Sequence, residues 1–162
     1  MPEIILIAHN IRSTHNVGSI FRTAEGFGVS KIILSGYTPY PKVKNDARLP
    51  HISDKVTSQI HKTALGAEHI VPFEQHDTLD MGTLHLAGYR IVALEQAPSS
   101  INLRDYKAPD KIALLLGEEV HGITPDLLSK VDDIIEIPMW GQKESFNVSV
   151  ATGIALYALT QL

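Results

Sequence analysis

The run Ile4-Ile5-Leu6-Ile7-Ala8 is apolar at every position, and a strand without polar alternation has to be covered on both faces. A short polar interval follows, and then Val17, Ile20, Phe21, Ala24 and Phe27 recur at helical spacing, with Gly26 and Gly28 as stop signals. A doubly covered strand leading into an amphipathic helix is the start of an α/β fold with a mainly parallel sheet. The alternation continues along the chain. Strands are expected at 31–34, 69–72, 90–95, 111–116 and 134–137. Ile52, Val56, Ile60 and Ala64 mark a helix ending near Gly66, and further helices are expected near 77–87, 124–130 and 146–161. Residues 35–50 carry Gly36, Pro39, Pro41 and Pro50, a long loop of the kind that often serves function. No repeat or interdomain linker interrupts the pattern, so a single domain over 1–162 is expected.

The last helix is unusual. Val148, Val150, Ala151, Ile154, Ala155, Leu156, Ala158 and Leu159 leave it little polar face, and such a helix must be buried on most sides. A second subunit, or a central position in a monomer's core, would each supply the cover. Ala151, Ala155 and Ala158 allow close packing, and Leu159 belongs to the expected interface.

Without cysteine, disulfides, thiolate metal sites and cysteine nucleophiles are excluded. No apolar run reaches the roughly 18–20 residues of a membrane span, and Met1-Pro2-Glu3 does not open a signal peptide; the cytoplasm is the expected compartment. The net charge of −4 argues against bulk attraction to nucleic acid, but its distribution is uneven. Residues 1–62 hold 8 Lys/Arg against 4 Asp/Glu, and residues 63–162 hold 6 against 14. Lys42, Lys44, Arg48, Lys55 and Lys62 concentrate in one stretch, which is either a site for an anionic polymer or a solvated loop and helix face.

Three polar islands stand at expected strand ends or helix starts, where α/β folds place ligands. The first runs Asn10-Ile11-Arg12-Ser13-Thr14-His15-Asn16-Val17-Gly18 and on to Arg22. Asn16 suits a helix cap. His15, Gly18, Ser19 and Arg22 form a polar stripe whose glycine would let a bulky ligand approach, and Arg22 is a permanently charged donor suited to phosphate. A surface pair between Arg22 and Glu25 is the plainer alternative. The second island is Leu115-Leu116-Gly117-Glu118-Glu119-Val120-His121-Gly122-Ile123, whose glycines permit backbone approach to a ligand and positive φ. Its adjacent glutamates point in different directions, so they do not form a glycosidase-like pair, and His121 reads as an exposed loop residue. The third runs Ile137-Pro138-Met139-Trp140-Gly141 and then Ser145-Phe146-Asn147-Val148-Ser149-Val150-Ala151. Here Ser145 suits the cap, with Asn147 in the first turn.

Other motifs do worse. Gly26-Phe27-Gly28 lies between a helix and a strand, the wrong order for a phosphate loop. There is no Gly-x-Ser-x-Gly elbow and no His-Glu-x-x-His, and no metal is expected. Lys62-Thr63-Ala64-Leu65-Gly66-Ala67-Glu68 reads only as a helix end.

Together, in this order and spacing, the islands resemble the three motifs of the SpoU (TrmH-like) branch of the SPOUT RNA methyltransferases, over nearly the whole chain, with no separate RNA-binding extension expected. The resemblance implies a parallel α/β sheet with a C-terminal trefoil knot, a homodimer, and methyl transfer from S-adenosylmethionine to a ribose 2′-hydroxyl of tRNA or rRNA. It implies Arg22 as the catalytic arginine, Asn16 as its positioning neighbour, Glu119 as the acid of Gly-x-Glu-x-x-Gly with Glu118 at the variable position, and Asn147 at the reacting end. It implies cofactor contacts at Leu94, Gly117, Ile137, Met139 and Ser145. RNA contacts are expected at Arg12, Lys42, Lys44 and Arg48. Arg22 is either the base or an electrostatic stabiliser of the developing alkoxide. Two other functions stay open: a SPOUT enzyme methylating a base, and an RNA-binding knot protein without turnover.

Overall fold

The structure is a computed structural model that describes residues 1–161. Seven strands form one sheet: β1 (Glu3–His9), β2 (Lys31–Ser35), β3 (Phe73–His76), β4 (Arg90–Leu94), β5 (Ile101–Asn102), β6 (Lys111–Leu116) and β7 (Asp133–Glu136). Four α-helices lie between them, α1 (Thr14–Gly26), α2 (Pro50–Ala64), α3 (Met81–Leu86) and α4 (Pro125–Leu128), and α5 (Val148–Thr160) follows the last strand among the described residues. The order across the sheet is β3-β2-β1-β6-β4-β7-β5, and every pairing is parallel.

The period-two geometry of a strand divides the apolar runs between two cores. Ile4, Leu6 and Ala8 of β1 join Ile112, Leu114 and Leu116 of β6 under α1, α2 and α5. Ile5 and Ile7 join Ala113 and Leu115 on the opposite face, against Leu84 of α3 and Leu127 and Leu128 of α4. The strands therefore need apolar residues at every position, as the run at Ile4–Ala8 requires.

Gly18 has a different use from the expected ligand approach. A Cβ there would stand 2.3 Å from the Ile60 carbonyl oxygen and 2.1 Å from Thr63 Oγ1, so the missing side chain lets α1 cross tightly over α2. Thr63 Oγ1 closes the contact by donating to the His15 carbonyl at 2.8 Å.

The strand expected at 69–72 lies a few residues later, at β3. The segment before it is a 3-10 turn, Ala67–His69, entered through Leu65 at φ 51° and Gly66 at φ 103°. Ala67 and Val71 are apolar because this turn packs into the core, not because it joins the sheet. Pro72, which has no N–H to give a ladder, sits just ahead of β3 and accepts from Ile32 N–H through its carbonyl. β5, two residues long, carries too little pattern to be read from sequence.

α5 packs one side against α1, with Thr152, Ala155, Leu156 and Leu159 buried. Leu159 is only 2% exposed, so it is core of this chain and not the interface residue expected. Val150, Ile154 and Tyr157 are 50%, 36% and 59% exposed, an apolar stripe on the other side. From β7, beyond β4 and β6 in the sheet, the chain returns through α5 to α1, the crossing that a C-terminal knot would use. Among the described residues, no helix is long and apolar enough to cross a membrane.

Candidate active site

Because the strands are parallel, the ends of β1, β4, β6 and β7 open on the same edge of the sheet, and the three islands meet there. The meeting point is a chain of hydrogen bonds. Glu119 accepts from Arg12 N–H at 3.0 Å, Ser13 N–H at 3.1 Å and Asn16 Nδ2 at 3.1 Å. Asn16 Oδ1 accepts from Asn147 Nδ2 at 3.1 Å. Asn147 Oδ1 accepts from Ser149 N–H at 2.9 Å and Ser149 Oγ at 2.6 Å. Residues from all three islands thus share one network.

The caps differ by a few residues from expectation. Ser13, not Asn16, caps α1, accepting from Asn16 N–H at 3.1 Å. Asn147, not Ser145, caps α5. In each case the residue standing directly before the helix takes the cap. Asn16 moves into the first turn, where its amide is free to bridge Glu119 and Asn147.

Glu119 is a hub rather than a free base. Burial raises its carboxyl, but the hydrogen bonds from Arg12, Ser13 and Asn16 outweigh that and hold it below the ordinary glutamate range. Glu118 turns the other way, into the loop, as adjacent residues must. It is buried, and one oxygen accepts from Val120 N–H and His121 N–H. Its Oε1 has no hydrogen-bond partner, although the exposed Arg12 guanidinium stands 3.9 Å away. In sequence Glu118 reads as a variable position; the one signal of its burial is that it stands two residues past the buried run of β6, on the same side of the period-two alternation as Leu116.

The glycines of this loop serve its closure, and both also line the cavity beside it. A Cβ on Gly117 would lie 2.5 Å from Ile123 Cγ1 and 2.7 Å from the Gly122 carbonyl carbon. Gly122, at φ 67°, faces Glu95, whose carboxylate accepts from Ile123 N–H at 3.0 Å. The result is a compact backbone loop beside β4.

A cavity of about 730 Å³ lies against this loop. Leu94, Gly117, Ile137 and Ser145 line it, as does Asn147, while Met139 is half-buried and does not. Leu116, Ile123 and Val148 add apolar wall. Five carboxylates also line it, those of Glu95, Glu118, Glu119, Glu136 and Glu144. Such a cavity suits a ligand with an apolar body and positive charge. The loops on either side are tied by Gln96 Nε2, which donates to the Glu144 carbonyl at 2.7 Å.

The basic residues are placed unequally. Arg22 is exposed on α1, outside the cavity lining, and makes no ion pair among the described residues, with Glu25 or otherwise. Lys44 is exposed and likewise unpaired among them. Lys42 Nζ lies 2.9 Å from Asp54. Arg48 is already used: it donates to Asp46 through Nε and Nη2 and to the Tyr40 carbonyl through Nη1, with its guanidinium 3.6 Å from the centre of the Tyr40 ring. That hydrogen-bonded pair holds Asp46 well below the usual carboxylate range. Arg48 therefore braces the 40–48 loop and has no free fork for phosphate.

The chain as a whole resembles known proteins. The chain is 31% identical, over 157 residues, to a tRNA (guanosine(18)-2′-O)-methyltransferase of Aquifex aeolicus, covering 96% of this chain and 67% of that one. It is 28% identical over 158 residues to the Escherichia coli K12 enzyme of the same description, covering 96% and 62%. The chain thus spans about two thirds or less of the length of these curated relatives. An AdoMet-bound rRNA methyltransferase from Sinorhizobium meliloti superposes with a TM-score of 0.78 at 25% identity, over 97% of this chain and 55% of that one. A family model described as the SpoU rRNA Methylase family matches residues 3–157. The chain belongs to that SpoU family.

Proposed function

We propose that this chain transfers a methyl group from S-adenosylmethionine to a ribose 2′-hydroxyl of tRNA or rRNA. The observation that carries the reading is the Glu119–Asn16–Asn147 network, which fastens all three islands at the rim of one cavity. The cavity's chemistry fits the donor. Apolar walls at Leu94, Leu116, Ile123 and Ile137 suit an adenine ring, and five carboxylates suit a sulfonium and an ammonium group. The orphaned Oε1 of Glu118 is an acceptor in need of an N–H or O–H. Leu94, Gly117, Ile137 and Ser145 would hold the donor, which supplies an electrophilic methyl group when bound.

The chain's own contribution is alignment and charge. Asn147, pinned by Asn16 and Ser149, presents a fixed amide edge at the cavity mouth, and such positioning accounts for much of a transfer rate. Arg22 pairs with an RNA phosphate and stabilises the alkoxide as the hydroxyl loses its proton. A guanidinium stays charged in proteins, so water or another group takes that proton. RNA phosphates are held away from the acidic cavity by Arg12 at its rim and by the exposed Lys44, Lys55 and Lys62.

The apolar stripe of Val150, Ile154 and Tyr157 supports a homodimer built on α5, with Arg22 of one subunit serving the cavity of its mate. The test is a transfer assay with radiolabelled donor and RNA from cells lacking this protein, followed by digestion to nucleosides. Label on a ribose 2′-oxygen supports the reading. Label on a base, or RNA binding with no incorporation, overturns it.

A further inference from the structure

Away from the cavity, the C-terminal end of α2 gathers a second group of chemically active side chains. His61, in the last turn of α2, meets Glu68 and His69 of the following 3-10 turn, with one donor atom from each within 4.8 Å of the others. The left-handed residues Leu65 and Gly66 make the sharp return that sets them face to face. The Glu68 side chain is fully buried, at 0% exposure, while His61 and His69 are 53% and 73% exposed. His61 Nδ1 lies 2.5 Å from Glu68 Oε1, and His69 Nε2 lies 3.6 Å from the same oxygen. The other oxygen accepts from Gly66 N–H at 2.9 Å, which fixes the carboxylate from behind.

No lysine or arginine of the described residues pairs with this buried carboxylate. Its side-chain partners are the imidazoles of His61 and His69. A fully buried carboxylate therefore faces two imidazole nitrogens at short range, a donor set of the kind that holds a divalent cation. The spacings of 2.5 and 3.6 Å bracket the separation of roughly 3.3 Å between donors of a tetrahedral site with bonds of about 2.0–2.1 Å.

We propose that His61, Glu68 and His69 form a divalent-metal site selective for zinc-like ions, with water as the fourth ligand. Two imidazoles and one carboxylate suit zinc, cobalt or nickel, whereas magnesium and calcium want more oxygens. The ion takes the place of the His61–Glu68 hydrogen bond, whose proton passes to water or to the other ring nitrogen, and the Gly66 N–H serves as the outer partner that orients the carboxylate. The site clips the end of α2 to the turn that follows. Thr63, two positions from His61, holds the His15 carbonyl at the start of α1, so the clip stiffens the support of the first island without touching the cavity.

The test uses the full chain without a histidine tag, stripped with EDTA and titrated with zinc chloride by calorimetry, with the melting temperature followed in parallel. One saturable equivalent and a rise of several degrees in Tm are expected, with no such rise in magnesium chloride. His61→Asn and His69→Asn should each weaken zinc binding by at least about tenfold. His69→Asn, at the more exposed and more distant position, should keep the metal-free Tm, whereas His61→Asn also removes the hydrogen bond to Glu68 and lowers it. Cobalt chloride should give visible absorption of tetrahedral intensity that both variants lose. Absence of saturable binding overturns the proposal. So does undiminished affinity in either variant, which would place the ion on other histidines.

Discussion

Asn147 Nδ2 donates a 3.1 Å hydrogen bond to Asn16 Oδ1 across 131 positions of sequence. The direction of that bond is set from the far end of the network. An ionised Glu119 only accepts, so Asn16 must turn its NH₂ toward Glu119 and its oxygen toward Asn147. Asn147 then turns its own oxygen to Ser149. Each amide is oriented by the one before it, and residues that act as a unit do not lose function additively. Asn16→Ala and Asn147→Ala should each lower kcat/KM by more than about tenfold, or about 1.4 kcal/mol. The double variant should stay within a few-fold of the worse single one. Steady-state kinetics on all four proteins checks this, and fully additive losses would show that the bond is incidental.

Glu119 also links the site to pH. Its folded-state pKa lies below the ordinary value, burial opposing and the three island hydrogen bonds winning. A depressed carboxylate contributes stability that is present above its unfolded pKa, about 4.3, and is lost as pH falls through the folded value. Glu119→Gln removes the charge and sets an amide against donors, so it should lower Tm at neutral pH. The gap between the two proteins should close as pH falls below about 4. Thermal melts across pH 3 to 7 would measure it; a gap constant with pH would remove Glu119 from this role.

Arg22 stands outside the cavity lining. Arg22→Ala should therefore abolish transfer while leaving S-adenosylmethionine affinity within a few-fold. Calorimetry for the donor and a radiolabel assay for transfer separate the two quantities. Wild-type turnover in the variant would end the role given to Arg22.

Periodicity is enough to read the sheet and most helices, because buried parallel strands and amphipathic helices each leave a local pattern. β1, β2, β4, β6 and β7 fall within a residue or two of where the apolar runs place them, while α1 starts three residues ahead of its run. Two elements do not follow. The turn at Ala67–His69 buries apolar residues as a strand would, and β5 is too short to show any period. In the site, island positions can be read but pairings cannot. Asn16 and Asn147 meet only because the chain's last helix returns to its first, and a hydrogen bond between distant loops leaves no spacing signal. The Arg48–Asp46–Tyr40 bracket is hidden in the same way, since a used arginine and a free one look alike in sequence.

That difference among the basic residues is open to measurement. Lys44 and Arg12 are exposed, and each should contribute to the salt dependence of RNA binding. Lys44→Ala and Arg12→Ala should each reduce the slope of log K against log salt by about 0.7–0.9 for every phosphate left unneutralised. Arg48→Ala should leave the slope nearly unchanged and instead lower Tm, because it strips Asp46 of its partner and exposes the Tyr40 ring. Filter binding at several salt concentrations, with melting curves, distinguishes the two effects. A slope lowered as much by Arg48→Ala as by Lys44→Ala would return Arg48 to the RNA surface.

The two sides of α5 make opposite predictions. Leu159 is packed within this chain, so Leu159→Glu would bury an unpaired carboxylate in the monomer's own core. Loss of folding is expected, at a cost of several kcal/mol, on the order of 3–5. Ile154 faces outward with Val150 and Tyr157, and their spacing puts them on one side of the helix. Ile154→Glu should leave the chain folded, since in the monomer that carboxylate reaches water. Across an interface it would be desolvated without a partner, and the dimer should weaken by several kcal/mol, roughly 2–5. Circular dichroism should then show native helix content, sedimentation should show monomer, and methyl transfer should fall with dimer content if Arg22 serves the neighbouring subunit's cavity. Mixing Arg22→Ala with Asn147→Ala protein adds a direct check, because a shared site regains activity in the mixed dimer while a site confined to one chain does not. A monomeric Ile154→Glu protein with undiminished turnover would rule out the shared site.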